Sequence, residues 1–376
     1  MRKYICLKLL STALALLLCG CAAPTGQKEA STAALPDPGA WRSQNATLLS
    51  FVETELGYYI LEDRMLYFAP TGSAEFHILC GRPDCDHSSE DCNAFAGEAF
   101  TYYDGKLYAI RRNYDKHVFE DIKISLDGSD HQVVGQFQDI LYPDGQIKAA
   151  QNFSISGRYA YYIVPAGGYT GETGYETHIF RMDLSTGKNE ELPASPESER
   201  NTGGYYYQHE GNKWYFIASH ILEDGTQAPD YLVCMDMDDG TYTPITECNP
   251  TRFNLYRVEG RTIFHYQPGQ GFFSYDMDSG EDKCQLALTD EEAYRSSIAY
   301  YDTDFIYVEA DEELQIFNRD YQLIDRMALP NDLFYITATQ DLVFFGIYLE
   351  VGMKPTAYIN KNDIGSGNLE LIYIDQ

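Results

Sequence analysis

Positive charge is scarce in this chain: 27 lysines and arginines stand against 57 aspartates and glutamates, a formal net charge of −30. Such a surface repels phosphate backbones and excludes nucleic acid as a partner. It also repels anionic lipid headgroups, so membrane association calls for a covalent anchor rather than adsorption. Helical signal is lacking as well. Past the N-terminus no long run sets apolar residues at i, i+3, i+4 and i+7. The motifs of common catalysts are missing: there is no G-x-S-x-G elbow, no H-E-x-x-H and no phosphate-cradling glycine loop. The glycine-rich "GGYTGETG" (Gly167–Gly174) follows a hairpin pattern instead of opening a helix, and reads as an inter-strand loop.

Aromatic side chains are abundant, with 32 tyrosines and 19 phenylalanines beside 2 tryptophans. Rings of this kind favour strands, where they lie on a pleated surface and a tyrosine hydroxyl reaches the rim. With 44% hydrophobic residues the chain can build a sizeable core. An all-β architecture is expected.

The first twenty residues read as a secretory signal. Arg2, Lys3 and Lys8 precede an uncharged apolar stretch, Leu9–Leu18, half the length of about 20 residues that a spanning helix needs. It ends in Leu18-Cys19-Gly20-Cys21, which resembles the bacterial lipobox, although Cys19 stands where alanine or serine is commoner. The resemblance implies that Cys21 is the lipid-bearing first residue of the mature protein. Removing the three basic residues leaves a formal charge of −33. Residues 21–45, rich in Ala, Pro, Ser, Thr and Gly, read as a flexible tether to a folded domain over residues 46–376. The expected location is the outer face of a cell membrane.

Beyond the tether one pattern repeats. An aromatic strand, a short polar turn and a second aromatic strand recur in "YYILEDRMLYFA" (Tyr58–Ala69), "FTYYDGKLYAI" (Phe100–Ile110), "SGRYAYYIV" (Ser156–Val164), "EGNKWYFIA" (Glu210–Ala218), "EGRTIFHY" (Glu259–Tyr266), "YYDTDFIYVEA" (Tyr300–Ala310) and "TQDLVFFGIY" (Thr339–Tyr348). After each comes a second hairpin whose turn lies near Gly72, Gly128, Gly187, Gly240, Gly280, Tyr321 or Gly365. Two hairpins make four strands, and a unit of ~40 to ~60 residues has the size of a propeller blade. Seven turns predict a seven-bladed β-propeller. Two stacked β-sandwiches would explain the strand spacing, but not a two-hairpin unit running the full length.

Phrases such as "YYDGKLYAI" followed by "ISLDGS" resemble lipoproteins of Gram-positive gut bacteria that carry a propeller domain of unknown function. They also resemble TolB-type and YVTN-type propellers more broadly. The loop "LCGRPDCDHSSEDCNA" (Leu79–Ala94) looks like a cysteine loop recurring in those lipoproteins. The resemblance implies fold and location; the family brings no established activity. Propellers with a tryptophan in every blade, with Asp-boxes or with paired glycines per blade fit this sequence less well.

That loop sets Cys80, Cys85, His87 and Cys92 in a C-x4-C-x-H-x4-C spacing, an insertion over residues 80–95 between the first two blades. Three thiolates and an imidazole form a reasonable tetrahedral set for zinc, with His77 and Asp86 as additional or alternative ligands. An exported protein equally pairs neighbouring cysteines as disulfides. Besides Cys21 the mature domain has six cysteines: these three, Cys234, Cys248 and Cys284. An even number permits complete pairing, and a bridge among the last three across neighbouring blades is one expectation. Metal and disulfide both stay open.

"MDMDDG" (Met235–Gly240) and "DMDSGED" (Asp276–Asp282) cluster acids around turns, and read as solvated hairpin tips rather than calcium loops. "YYYQHE" and "FHYQPGQGFF" offer Tyr206, His209, His265 and Tyr266 as candidate ligand contacts at a propeller rim. The expected function is a non-catalytic binding or scaffold module for an extracellular protein, peptide or glycan. The alternative is a polysaccharide hydrolase or lyase using carboxylates near the funnel. No catalytic residue is named by the sequence.

Overall fold

Many of the aromatic phrases carry apolar residues at consecutive positions, which a strand with one wet face would not do. Side chains alternate between the two faces of a strand, so a doublet such as Tyr58-Tyr59 needs both faces covered. In the computed structural model they are. It describes residues 51–138, 151–166, 176–192, 208–210, 212–218, 230–248, 254–288, 294, 297–349 and 352–374. These form seven four-stranded antiparallel sheets, each with its strands in chain order, arranged as a seven-bladed β-propeller. The blades draw on residues 51–78, 99–138, 151–191, 208–248, 254–287, 298–328 and 334–373. The signal segment, tether and Cys21 lie outside the described residues.

The buried side chains fall into one apolar cluster for each seam between blades. Tyr59 packs with Phe100 and Ile122 across the first seam, whereas Tyr58 packs with Phe344 across the last. Tyr162 faces Phe119 of blade 2, and Tyr161 faces Trp214 of blade 4. Tyr300 joins Tyr335, while Tyr301 joins Phe272. One tyrosine of each doublet thus serves one neighbour and its companion the other. The hydroxyls reach polar partners at the edges: Tyr59 donates to the Leu126 carbonyl at 2.9 Å and Tyr102 to Glu55 at 3.1 Å, both across the first seam.

The seven turn residues read from the sequence each join the third and fourth strands of a blade, and all have positive φ, from 60° at Tyr321 to 79° at Gly365. The acids beside them build these turns. Asp236 Oδ1 accepts the Asp238 N–H at 2.9 Å, and Asp276 Oδ1 accepts those of Asp278 and Ser279. Such Asx turns account for the acidic tips without a cation.

One phrase is displaced from its expected place. "YYILEDRMLYFA" joins the second and third strands of blade 1, Gly57–Glu62 and Met65–Pro70, not the first and second. The first strand is the three-residue Phe51–Glu53. Asp63 and Arg64, both with positive φ, close the middle turn.

Candidate functional site

Blade 1 ends in a two-residue strand, His77–Ile78, and the chain then makes the cysteine loop before entering blade 2 at Ala99–Tyr103. Short turns fold the loop back on itself. The Cys85 N–H donates to the Arg82 carbonyl, that of Cys92 to Ser89 and that of Phe95 to Cys92. The Arg82 guanidinium donates to the Asp91 carbonyl at 2.9 Å and ties the two limbs together. His87 takes the left-handed conformation, φ 56°, between them.

These turns gather Cys80, Cys85, His87 and Cys92, whose three sulfurs and one ring nitrogen all lie within 4.8 Å of one another. His87 Nδ1 is 3.4 Å from Cys92 Sγ. Zn–S bonds of about 2.3 Å and Zn–N bonds of about 2.0 Å give tetrahedral edges of roughly 3.5–3.8 Å, so the group needs little contraction to close on an ion. The donor set fits a soft divalent cation. Backbone N–H groups also serve the sulfurs: Ala94 donates to Cys92 Sγ at 3.4 Å. Burial works against charge on Cys80, but the Arg82 and Asn93 backbones and the neighbouring thiols hold its thiol below the ordinary range. At Cys92 burial and the adjacent sulfurs push the thiol up to about 11. A bound cation would favour the thiolate form of all three cysteines. The four side chains can hold a metal ion.

The cysteines of the loop carry free thiols, as does Cys284. The side chain of Cys248 is outside the described residues, so a bridge made by it remains an expectation. His77 and Asp86 do not join the cluster: His77 is exposed on its strand, and the Asp86 carboxylate accepts the Ser88 N–H at 3.1 Å to close a turn.

Two proposed rim contacts are corrected. His265 and Tyr266 are buried. His265 Nε2 pairs with Asp282 at 2.9 Å and its ring stacks on Phe273, while the Tyr266 hydroxyl pairs with Ser297 at 2.5 Å. Their strand, Thr262–Gln267, is covered on both faces: Tyr266 packs in the seam with blade 6, whereas His265 is held by residues of its own blade. Tyr206 and the His209 side chain lie outside the described residues.

Sequence reasoning missed two features on blades 6 and 7. Phe334 and Tyr348, 37% and 50% exposed, pair their rings at 5.0 Å, with Ile298 and Ile347 also exposed at strand ends of blades 6 and 7. Beside them burial pushes the Glu309 carboxyl up to about 7, although it accepts hydrogen bonds from the Tyr335 N–H and the Tyr300 hydroxyl.

No protein-family profile matches the chain, and no curated protein matches it. Among solved structures it is similar to BamB from Moraxella catarrhalis, at 12% identity over 81% of this chain and 96% of that one, with a TM-score of 0.41. A structure of YCF48 bound to D1 peptide matches at 10% identity, over 90% and 96%, with a TM-score of 0.49. Apo AztD from Citrobacter koseri matches at 12%, over 74% and 71%, with a TM-score of 0.37. At such identities and scores these likenesses carry no function to this chain.

Proposed function

We propose that this chain is a lipid-anchored extracytoplasmic scaffold, a propeller held at the outer face of a cell membrane that binds a protein, peptide or glycan. The cysteine loop holds a structural zinc ion. The exposed ring pair Phe334–Tyr348, with Ile298 and Ile347 also exposed at strand ends of blades 6 and 7, carries the binding reading. Aromatic rings left in water at strand ends are costly unless a partner covers them, and rigid rings are favoured as contact anchors. His265 and Tyr266, by contrast, are buried. Lipidation at Cys21 and the tether supply the address, and the acidic surface disfavours direct adsorption to anionic lipid.

The hydrolase reading has one observation in its favour, Glu309, because a carboxyl that stays protonated near neutrality suits a general acid. A glycan hydrolysis screen with wild type and Glu309→Gln decides it: loss of a measurable activity in the variant favours the enzyme. The scaffold reading is tested in cells. The full chain is expected to take up a fatty-acid label and to be degraded by protease added outside intact cells. Cys21→Ser is expected to lose the label and leave the membrane fraction. Label retained by Cys21→Ser, or a chain protected from outside protease, overturns the address. Phe334→Ser with Tyr348→Ser is expected to abolish crosslinking to whichever partner the wild type captures.

A further inference from the structure

Granted the zinc centre proposed for Cys80, Cys85, His87 and Cys92, we infer that it is a redox-gated clasp on the seam between blades 1 and 2. In the thiolate state the loop holds a soft divalent cation. A disulfide oxidant joins two of the three sulfurs, empties the site and loosens the seam.

The number and placement of the sulfurs lead here. Three thiols within 4.8 Å of one another are one more than a bridge uses. A disulfide has an S–S length of about 2.05 Å, so two of them must close by at most roughly 3 Å, within reach of a loop built from single turns. Any pairing leaves one thiolate and one imidazole, two of the four ligands that a structural zinc site requires. Cys92 is 2% exposed, whereas Cys80 and Cys85 are part-exposed, so an oxidant from solution meets one of the latter first.

The chemistry balances with an external disulfide as oxidant. The thiolate of Cys80 or Cys85 attacks one sulfur of R–S–S–R, the oxidant's S–S bond breaks, and one RS⁻ leaves as a mixed disulfide forms. A neighbouring cysteine thiolate then attacks the protein's own sulfur and expels the second RS⁻. Two electrons pass from two cysteines to the oxidant, and the released thiolates take protons from water.

The ligands sit beside the contacts that join the blades. Cys80 follows Leu79, whose N–H donates to the Leu66 carbonyl of blade 1 at 2.8 Å. The Leu79 carbonyl lies against Gly128 of blade 2, so closely that a Cβ there would come within 2.6 Å of it. Cys92 precedes Asn93, whose backbone meets His131 of blade 2, and Ala94, whose carbonyl accepts the Leu66 N–H at 2.7 Å. Cys80, Cys85 and Cys92 also pack with Met65, Ile78 and Phe95 in a small apolar cluster of their own. Drawing two sulfurs together therefore displaces groups that touch both blades.

The test uses the full chain purified under reductant. Metal analysis is expected to find one zinc per chain; a metal-free reduced chain sinks the zinc centre itself, and the clasp with it. Oxidised glutathione is then added with a chromophoric zinc indicator. The expected result is release of the zinc with one bridge among Cys80, Cys85 and Cys92, located by peptide mass. Amide exchange should quicken by at least tenfold over residues 79–98 and 125–131, with blade 6 unchanged, and reductant plus zinc should reverse it. Zinc retained through oxidation, release without a bridge, or release with exchange unaltered each overturns the clasp while the zinc centre stands.

Discussion

Asp121 shows what one residue can hide inside a seam. It lies on the third strand of blade 2, Val118–Ile124, on the face opposite Glu120, and is 1% exposed. Glu120 has the Arg111 guanidinium at 2.9 Å and the Lys116 ammonium at 3.2 Å; neither oxygen of Asp121 has a hydrogen-bond partner among the described residues. Its surroundings are Gly135, Met182 and Tyr162. Burial alone pushes its carboxyl up to about 8. The folded state then holds a proton that the unfolded chain gives up near pH 4. This contribution to stability is complete at low pH and falls by about 1.4 kcal/mol per pH unit from about pH 4 to pH 8, then levels off. Asp121→Asn keeps the shape without the ionisation. Chemical denaturation at pH 5, 6.5 and 8 is expected to show a shallower pH slope in the variant and a more stable variant at pH 8. Equal slopes would show that Asp121 does not titrate as its burial demands.

At the scale of elements, exposure decides which ion pairs matter. Lys361 opens a single 3-10 turn, Lys361–Asp363, after the third strand of blade 7. Its ammonium lies 2.9 Å from both Asp302 and Asp304 of blade 6, and donates to the Thr339 carbonyl at 3.2 Å. Asp302 is nearly as buried as the lysine and also accepts the Tyr307 hydroxyl at 2.6 Å, whereas the Asp304 side chain is 59% exposed. Lys361→Met leaves a buried carboxylate without its cation and is expected to cost about 3–5 kcal/mol. Asp304→Asn removes a solvent-screened partner and should cost less than about 1 kcal/mol. Urea denaturation of the two variants measures the contrast; equal losses would refute it.

The same scale explains what could be read in advance. Turns are local, so six glycines and Tyr321, flanked by Asp, Asn and Ser, marked the outer hairpin of every blade. The cysteine cluster was legible because its members are close in sequence, although the backbone donors that serve their sulfurs were not. The first strand of blade 1 was misplaced because Phe51–Glu53 has too few residues to show alternation, and the stronger Asp63-Arg64 turn drew the hairpin one strand along. His265 and Tyr266 were misread for a different reason. A period of two tells which residues share a face, but in a ring both faces meet another blade, so polar residues on a strand do not announce a rim. Glu309 stayed hidden because burial raises its carboxyl, and that burial comes with packing against residues distant in sequence, as the hydrogen bond from the Tyr335 N–H of the next blade marks.

The whole molecule depends on closing the ring. Every sheet takes its four strands from consecutive stretches of chain, so among the described residues no strand is shared between the first blade and the last. Among the described residues the closure is made by packing, an ion pair between Lys354 and Glu62 at 3.3 Å, a hydrogen bond from the Gln340 N–H to Glu53 at 3.2 Å, and an isolated bridge between Glu62 and Gly352. Phe344 stands at the centre of that seam. It is fully buried, with its ring 5.4 Å from Phe51, 5.5 Å from Tyr58 and 5.8 Å from Phe76, all in blade 1. Phe344→Ala removes the ring from both sides at once and is expected to cost about 3–5 kcal/mol. A truncation of the same size within one blade would loosen that blade; at the closure it should also free the two ends of the array. In a structure whose units touch only their neighbours, loss of one interface lets opening start there and spread. Amide exchange is therefore expected to quicken in blades 1 and 7 together, most at Phe51–Glu53 and Leu342–Tyr348, while blade 4, farthest around the ring, stays protected. Uniform exchange around all seven blades would mean that the ring opens as one unit and that its closure is no weaker than its other seams.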